Sequence, residues 1–192
     1  MIKYVLKNYS FKSLITVIFD EYIWSIFKHI PGVEGIFLRR LYLKIFSNSC
    51  NMNVTLQRNI HIRNSNKINF GNNIYINRDC HIDAYGGIDF GDNVGIGPKT
   101  VIITNDHSFI TQGNNYYERK FIPRKVTIGN NTIIGSNCYL NPGITIGENC
   151  IIASGTNVFV DIPDNTKVSS SYLDKYTHNM KKSIKNLKYI DV

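Results

Sequence analysis

The chain has one tryptophan, three methionines and five prolines among its 192 residues, and its four cysteines, Cys50, Cys80, Cys138 and Cys150, never form a Cys-x-x-Cys pair. Without such a pair, and without histidines at matching spacing, neither a zinc site nor a disulfide framework is expected. The cysteines read as small buried residues in a reducing cytoplasm. A long apolar run is also missing. The N-terminal hydrophobic stretches are broken at Lys12, Asp20, Glu21 and Lys28, well short of the roughly 20 residues that cross a bilayer. No small-residue cleavage site follows Lys3 and Lys7, so no signal peptide is expected. Acidic residues are few against basic ones, 14 to 22, giving a net charge of +8. The basic residues lie mostly at the two ends and the middle holds no nucleic-acid-binding motif, so nucleic acid is not an expected partner. An anionic membrane surface or an anionic cosubstrate explains the distribution at least as well. With 43% hydrophobic and 19% charged residues, the chain is expected to form one substantial compact domain.

What is present is a period. Ile128, Ile134, Leu140, Ile146, Ile152 and Val158 fall six residues apart, and two residues before each stands Val126, Thr132, Cys138, Ile144, Cys150 or Thr156. Alternating inward and outward side chains describe short strands, whereas a helix would repeat every 3.6 residues. Corner segments such as Gly129-Asn130-Asn131 and Gly147-Glu148-Asn149 suit left-handed backbone. Three strands and three corners make one triangular coil of about 18 residues, so the fold expected is a mainly β, left-handed parallel β-helix, an exception to the usual right-handed crossover. Before the period is interrupted, the same inward positions are Leu56, Ile62, Phe70, Ile76, Ile82, Phe90, Ile96 and Ile102. The steps Ile62 to Phe70 and Ile82 to Phe90 are eight residues, and a long excursion separates Ile102 from Ile128. All three irregular steps fall at the same corner of successive coils, as insertions that build a binding surface commonly do. The expected organisation is a helical segment over 1–50, the β-helix over 51–168 with a protruding loop at 105–125, and a basic C-terminal tail or helix over 169–192.

The ordered segments GNNIYINRDCHID, IDFGDNVGIGP, TNDH, VTIGNNTIIGS, LNPGITIGENCIIASG and DIPDN, between Gly71 and Asn165, resemble the hexapeptide-repeat acetyltransferases. The similarity is to the sugar O-acetyltransferase branch that includes maltose, galactoside and surface-polysaccharide acetyltransferases. The resemblance implies an acetyl-CoA-dependent transfer to a hydroxyl of a sugar in a bacterial surface polysaccharide or its precursor, by a cytoplasmic or membrane-peripheral enzyme. It implies a homotrimer with active sites between subunits, and no metal cofactor. His107 matches the general base that takes the proton of the attacking hydroxyl. The chemistry is sound on its own terms, because a hydroxyl is a poor nucleophile at neutral pH and imidazole has the pKa to assist it. Tyr75 and Asn77 match residues that contact the acceptor sugar, and at the next corner Tyr85, with Asp83 two residues earlier, stands where the family often has an acidic residue. Gly135, Ser136, Ala153, Ser154 and Gly155 match positions past which the pantetheine arm of CoA is threaded. Two departures concern the donor. Ile133 replaces a common tryptophan, and the usual Gly-x-Pro-Ala segment is replaced by VSSSYLD at 168–174, so the adenine end would be held differently, by basic residues such as Lys167 or Lys175.

Alternatives remain open. His107 could simply begin a solvated loop, and Asp106 beside it could orient the imidazole or be an ordinary loop acid. His61 and His81 stand one 20-residue coil apart on an outer face. With His107 they could form a three-histidine metal site like that of the γ-class carbonic anhydrases, although subunit contact or plain surface placement suits them better. The acceptor could instead be an amino sugar, serine or drug hydroxyl, and a noncatalytic β-helix scaffold would share the repeat. In the N-terminal segment Phe11, Leu14, Ile15, Ile18, Tyr22, Ile26 and Phe27 fit helical spacing. Ile30-Pro31-Gly32 interrupts it, and the stretch from Gly35 to Phe46 resumes it. Two amphipathic helices can cap the open end of a solenoid. With Lys3, Lys7, Lys12, Lys28, Arg39, Arg40 and Lys44 interspersed, residues 1–46 can also rest on anionic lipid. Capping is the preferred reading for at least part of the segment.

Overall fold

The computed structural model describes residues 11–51, 53–108 and 120–169. Strands of two or three residues stack into three parallel sheets. The first sheet holds Ser49–Cys50, Ile68–Phe70, Ile88–Phe90, Val126–Ile128 and Thr145–Ile146; the second holds Val54–Leu56, Ile74–Ile76, Gly95–Ile96, Ile133–Ile134, Ile151–Ile152 and Lys167–Val168. The third holds His61–Arg63, His81–Asp83, Val101–Ile103, Tyr139–Leu140 and Asn157–Val158. The chain visits first, second and third sheet in turn, which makes a three-sided solenoid. Pairing keeps inward residue over inward residue, as with Ile62 beside Ile82, Ile82 beside Ile102, Ile102 beside Leu140 and Leu140 beside Val158. Every inward position read from the period is buried. Each such side chain is worth roughly 1.5–3 kcal/mol relative to exposure, and this stacked column is the core.

The edge between first and second sheets shows how the corners are made. Asn53, Asn73, Asn93, Asn131, Asn149 and Asn165 all sit at φ between 55° and 61°. Asparagine is among the L residues that reach this region most cheaply. Each amide Nδ2 donates to the Oδ1 of the asparagine one coil on, at 3.1, 3.0, 2.9, 3.2 and 3.1 Å in succession. The residue that turns the chain also ties one coil to the next.

Two helices, α1 (Phe11–Phe27) and α2 (Gly32–Phe46), cover the first coil. Trp24 packs on Tyr42 with ring centroids 5.1 Å apart, and its indole Nε1 donates to the Ile60 carbonyl at 2.8 Å. Arg39, grouped by sequence with the lipid-facing cations, is instead 1% exposed. Its Nε donates to the Leu56 carbonyl and its Nη1 to the Phe27 and Ile30 carbonyls, each at 2.9 Å. A guanidinium there satisfies carbonyls that the end of α1 leaves over. Gly35 is required beside it, since a Cβ would lie 2.0 Å from the Ile30 oxygen. Asp20 is also buried and accepts from the Tyr42 hydroxyl at 2.7 Å, the Ser65 hydroxyl at 2.7 Å and the Ser65 amide at 3.0 Å. Burial raises the Asp20 pKa, with these hydrogen bonds opposing the shift. Cys80, Cys138 and Cys150 are buried as expected, and burial pushes the Cys80 thiol up to about 11, whereas Cys50 is only half-buried. The expected C-terminal helix lies outside the described residues.

Candidate active site

The irregular steps gather on the edge between the third and first sheets. In the second coil Ala84 to Gly87 form the widened corner, and in the third the chain leaves at Thr104 into a two-stranded antiparallel hairpin, Asn105–Ser108 with Lys120–Pro123. The segment expected as a loop therefore begins and ends as paired strand, with His107 opposite Phe121. Thr104 fixes the hairpin's base. Its hydroxyl donates to the Asp83 carbonyl at 2.8 Å and accepts from the Gly86 amide at 2.7 Å, while its carbonyl accepts from the Arg124 amide at 2.7 Å. Gly86 is pressed between these strands: a Cβ would come within 2.2 Å of the Thr104 oxygen and 2.5 Å of the Arg124 nitrogen. Asp106 forms an ion pair with Arg124 at 3.6 Å across that base, and Lys125 pairs with Asp89. Asn105 Oδ1, two residues before His107, is buried and makes no hydrogen bond with the described residues.

Asp83 and Tyr85 belong to this edge. The Asp83 carboxylate accepts from the Tyr85 amide at 3.1 Å and from Asn64 at 3.3 Å, so it shapes the corner. Lys67 donates to the Tyr85 carbonyl at 2.6 Å and holds its ammonium 4.6 Å from the centroid of the Tyr85 ring. Tyr85 is thus clamped by a cation from the coil below. Nothing in the linear spacing of Lys67 and Tyr85 marks that contact; only the 20-residue stacking of coils creates it.

The other expected residues occupy a different edge, between the second and third sheets. Tyr75 is exposed on the outer face of the second sheet, and Asn77 follows at the corner. The amides of Asn77, Gly97, Gly135 and Ala153 donate in turn to the carbonyls of Ile96, Ile134, Ile152 and Val168, which aligns these four residues in one column. Ser136, Ser154 and Gly155 adjoin it, with the Ser136 amide donating to the Ser154 hydroxyl at 3.0 Å. Gly135 is small for an internal reason, because a Cβ would meet the Ser154 nitrogen at 2.5 Å. Gly155 has φ +74° and open space where a Cβ would be. Asn77, Gly97, Gly135 and Ala153 are all at least partly exposed, and three of the four are glycine or alanine. Lys167 stands apart on the outer face of the second sheet, beside Ile151. One chain therefore places His107, Asp83 and Tyr85 on one edge and Tyr75, Asn77 and the small residues on another, with the third sheet between them.

His61 and His81 stack on the outer face of the third sheet, with ring centroids 4.8 Å apart and planes 13° from parallel. Burial lowers both pKa values; at His61 the neighbouring His81 adds to it, and at His81 the Asp83 carboxylate opposes it. Among the described residues no group of three histidine, cysteine or carboxylate side chains could hold a metal.

The three-sided parallel solenoid is similar to the left-handed β-helix of solved acetyltransferase structures. Residues 125–159 match the family described as bacterial transferase hexapeptide (six repeats). Among characterised sequences, the galactoside O-acetyltransferase of Escherichia coli (strain K12) is 34% identical over 113 residues, which are 59% of this chain and 55% of that protein. A putative acetyltransferase of Saccharomyces cerevisiae is 33% identical over 117 residues, 61% of this chain and 59% of that one. The chain thus matches little more than half the length of these relatives. Among solved structures, a maltose O-acetyltransferase from Clostridium difficile 630 superposes with a TM-score of 0.69 at 27% identity, covering 82% of this chain and 83% of that one. A galactoside acetyltransferase in complex with coenzyme A superposes with a TM-score of 0.72 at 25% identity, covering 83% and 78%.

Proposed function

We propose that the chain is an acetyl-CoA-dependent O-acetyltransferase that acts on a sugar hydroxyl, with His107 as general base. The observation that carries the reading is the hairpin bearing His107, set at the one edge where insertions accumulate on a fold otherwise similar to a galactoside acetyltransferase in complex with coenzyme A. Acetyl-CoA supplies the thioester. The acceptor oxygen forms a bond to the acetyl carbonyl carbon, His107 takes the hydroxyl proton, and the carbon–sulfur bond breaks. The departing CoA sulfur recovers a proton, leaving an acetyl ester and free CoA. Gly135, Ser136, Ala153, Ser154 and Gly155 would line the donor's path, and Asp83, Tyr85, Tyr75 and Asn77 the acceptor's, with Lys167 toward the adenine end.

His107, Asp83 and Tyr85 lie on one edge and the other residues on or beside another, so the reading requires that the small-residue edge of one subunit face the hairpin edge of the next. Tyr75, Ile133 and Ile151, 43–55% exposed, form an apolar column on the outer second sheet, interrupted only by Gly95. Covering it in a homotrimer removes that apolar area from water. On this reading the reaction takes place in the cytoplasm or against the inner face of the membrane, on a surface polysaccharide or its precursor. The test is release of free thiol from acetyl-CoA across a panel of sugars and oligosaccharides, with wild type beside His107→Ala. General-base assistance is typically worth roughly 10²–10⁴-fold, so a folded His107→Ala variant should lose at least 100-fold of acceptor-dependent release. Equal rates for the two proteins would sink the assignment of His107.

A further inference from the structure

The helical cap has two apolar faces, and the β-helix uses only one. Trp24, Tyr42, Leu43 and Arg39 turn inward and are buried. On the opposite side α1 presents Ile15, Ile18, Tyr22 and Ile26, and α2 presents Val33, Phe37, Leu41 and Ile45, all between 36% and 77% exposed. The spacing i, i+3, i+7, i+11 in α1 and i, i+4, i+8, i+12 in α2 makes each set a stripe along its helix. Arg40 and Lys44 flank the α2 stripe, and with Phe37 and Leu41 they line a shallow depression.

Charge decides what kind of surface suits these stripes. Residues 1–50 carry seven basic and three acidic side chains, residues 51–165 nine of each, and residues 166–192 six and two. The β-helix is therefore neutral, and the excess of +8 divides between the two ends. Within the cap, burial withdraws Asp20, and Arg63 engages Glu21 at 3.9 Å. Only Glu34 remains to oppose Arg40, Lys44 and Lys28 on the described part of the cap. Aliphatic and aromatic stripes bordered by cations match an interfacial helix, whereas lysine is depleted where two protein surfaces meet. No helix among the described residues is long and apolar enough to cross a bilayer.

We propose that the outer face of α1 and α2 is a docking face for an anionic phospholipid bilayer, on which the two helices lie flat while their inner faces cap the β-helix. Capping and lipid contact, alternatives at the level of sequence, become two sides of one hairpin. Lipid docking stands independently of acetyl transfer, and its test needs neither acetyl-CoA nor an acceptor.

The experiment is flotation of the full chain with phosphatidylcholine vesicles, with and without about one third phosphatidylglycerol, at low and high salt. Wild type is expected to float with the anionic vesicles, not the neutral ones, and less at high salt. Arg40→Glu/Lys44→Glu should weaken that binding roughly tenfold or more, since each basic residue near an anionic surface contributes measurably. Phe37→Ser/Leu41→Ser should weaken it to a similar extent. All four side chains lie on the outer face, and circular dichroism would confirm that each variant folds; should the apolar pair fail to, the charge pair carries the test. No flotation of wild type, equal binding to neutral vesicles, or variants that bind as wild type would each overturn the proposal. So would light scattering that shows either variant losing a subunit, which would assign the face to a second copy of the chain.

Discussion

Along the edge joining first and second sheets, Asn53, Asn73, Asn93, Asn131, Asn149 and Asn165 repeat one backbone angle and one hydrogen bond. Along the edge joining third and first sheets no two coils are alike. The turn at Ser65–Lys67 and the corner at Ala84–Gly87 share a length but not their contacts, and the hairpin after Thr104 and the turn at Gly143 differ from them in both. Repetition lets each coil template its neighbour, and the solenoid stability is approximately a sum over such neighbour terms. Irregularity forfeits that templating and gains side chains that project differently from each coil. The asparagine edge should therefore matter to stability alone, and the hairpin edge to stability and acetyl transfer together.

The largest expected stability effect lies on the irregular edge, at Gly86. A methyl there meets the backbone of Thr104 and Arg124 on both sides, and overpacking against atoms that cannot swing away typically costs about 1–3 kcal/mol. Because Thr104 and Arg124 are the two feet of the hairpin, Gly86→Ala should lower Tm and also reduce acetyl transfer in the folded fraction. Thermal unfolding beside single-turnover kinetics checks both. An unchanged rate in a destabilised variant would show that the hairpin's base does not set the position of His107.

On the regular edge, Asn93→Ala should cost about 1–2 kcal/mol, from an alanine forced to left-handed angles and from lost amide bonds to Asn73 and Asn131. Asn93→Gly separates the two causes, because glycine accepts the angle freely but leaves the ladder broken. Denaturation midpoints should rank wild type above Asn93→Gly and Asn93→Ala lowest, with acetyl transfer by the folded protein unaltered. A glycine variant no better than alanine would assign the whole cost to the hydrogen bonds.

The same contrast explains what the sequence disclosed. Ile62, Ile82, Ile102 and Leu140 were legible as inward residues because a solenoid writes each buried position at a fixed offset. The crowded edge was legible from the two eight-residue steps and the excursion after Ile102. Arg39 and Asp20 were not, since a charged side chain reads as solvated until the carbonyls of Phe27, Ile30 and Leu56, or the hydroxyls of Tyr42 and Ser65, are seen around it. The inward face of α1 was not legible either. Ile15, Ile18, Tyr22 and Ile26 form its regular stripe, but Trp24 and Asp20 on the other side are what the β-helix buries. A helix apolar on both faces gives no directional signal. The division of the expected site between two edges was equally hidden, because spacing along the chain fixes a residue's height on the prism more plainly than its face.

The smallest expected effect lies on the third sheet, between those edges, where His61 and His81 stack. Both are held below the ordinary imidazole pKa of about 6.5 by burial. Around them Lys28 and Arg63 oppose a positive charge on the rings, while Glu21 and Asp83 favour it. In the window between the lowered folded values and about 6.5, the unfolded chain binds more protons than the folded one. The stabilisation is then complete above the unfolded value and is lost as pH falls through the folded values. Because the rings are only half-buried, solvent screening keeps the contribution small. Melting curves between about pH 7.5 and pH 5 should fall with acidity in wild type and fall less steeply in His61→Gln/His81→Gln. Identical slopes would mean that the stacked pair takes up protons alike in the folded and the unfolded chain.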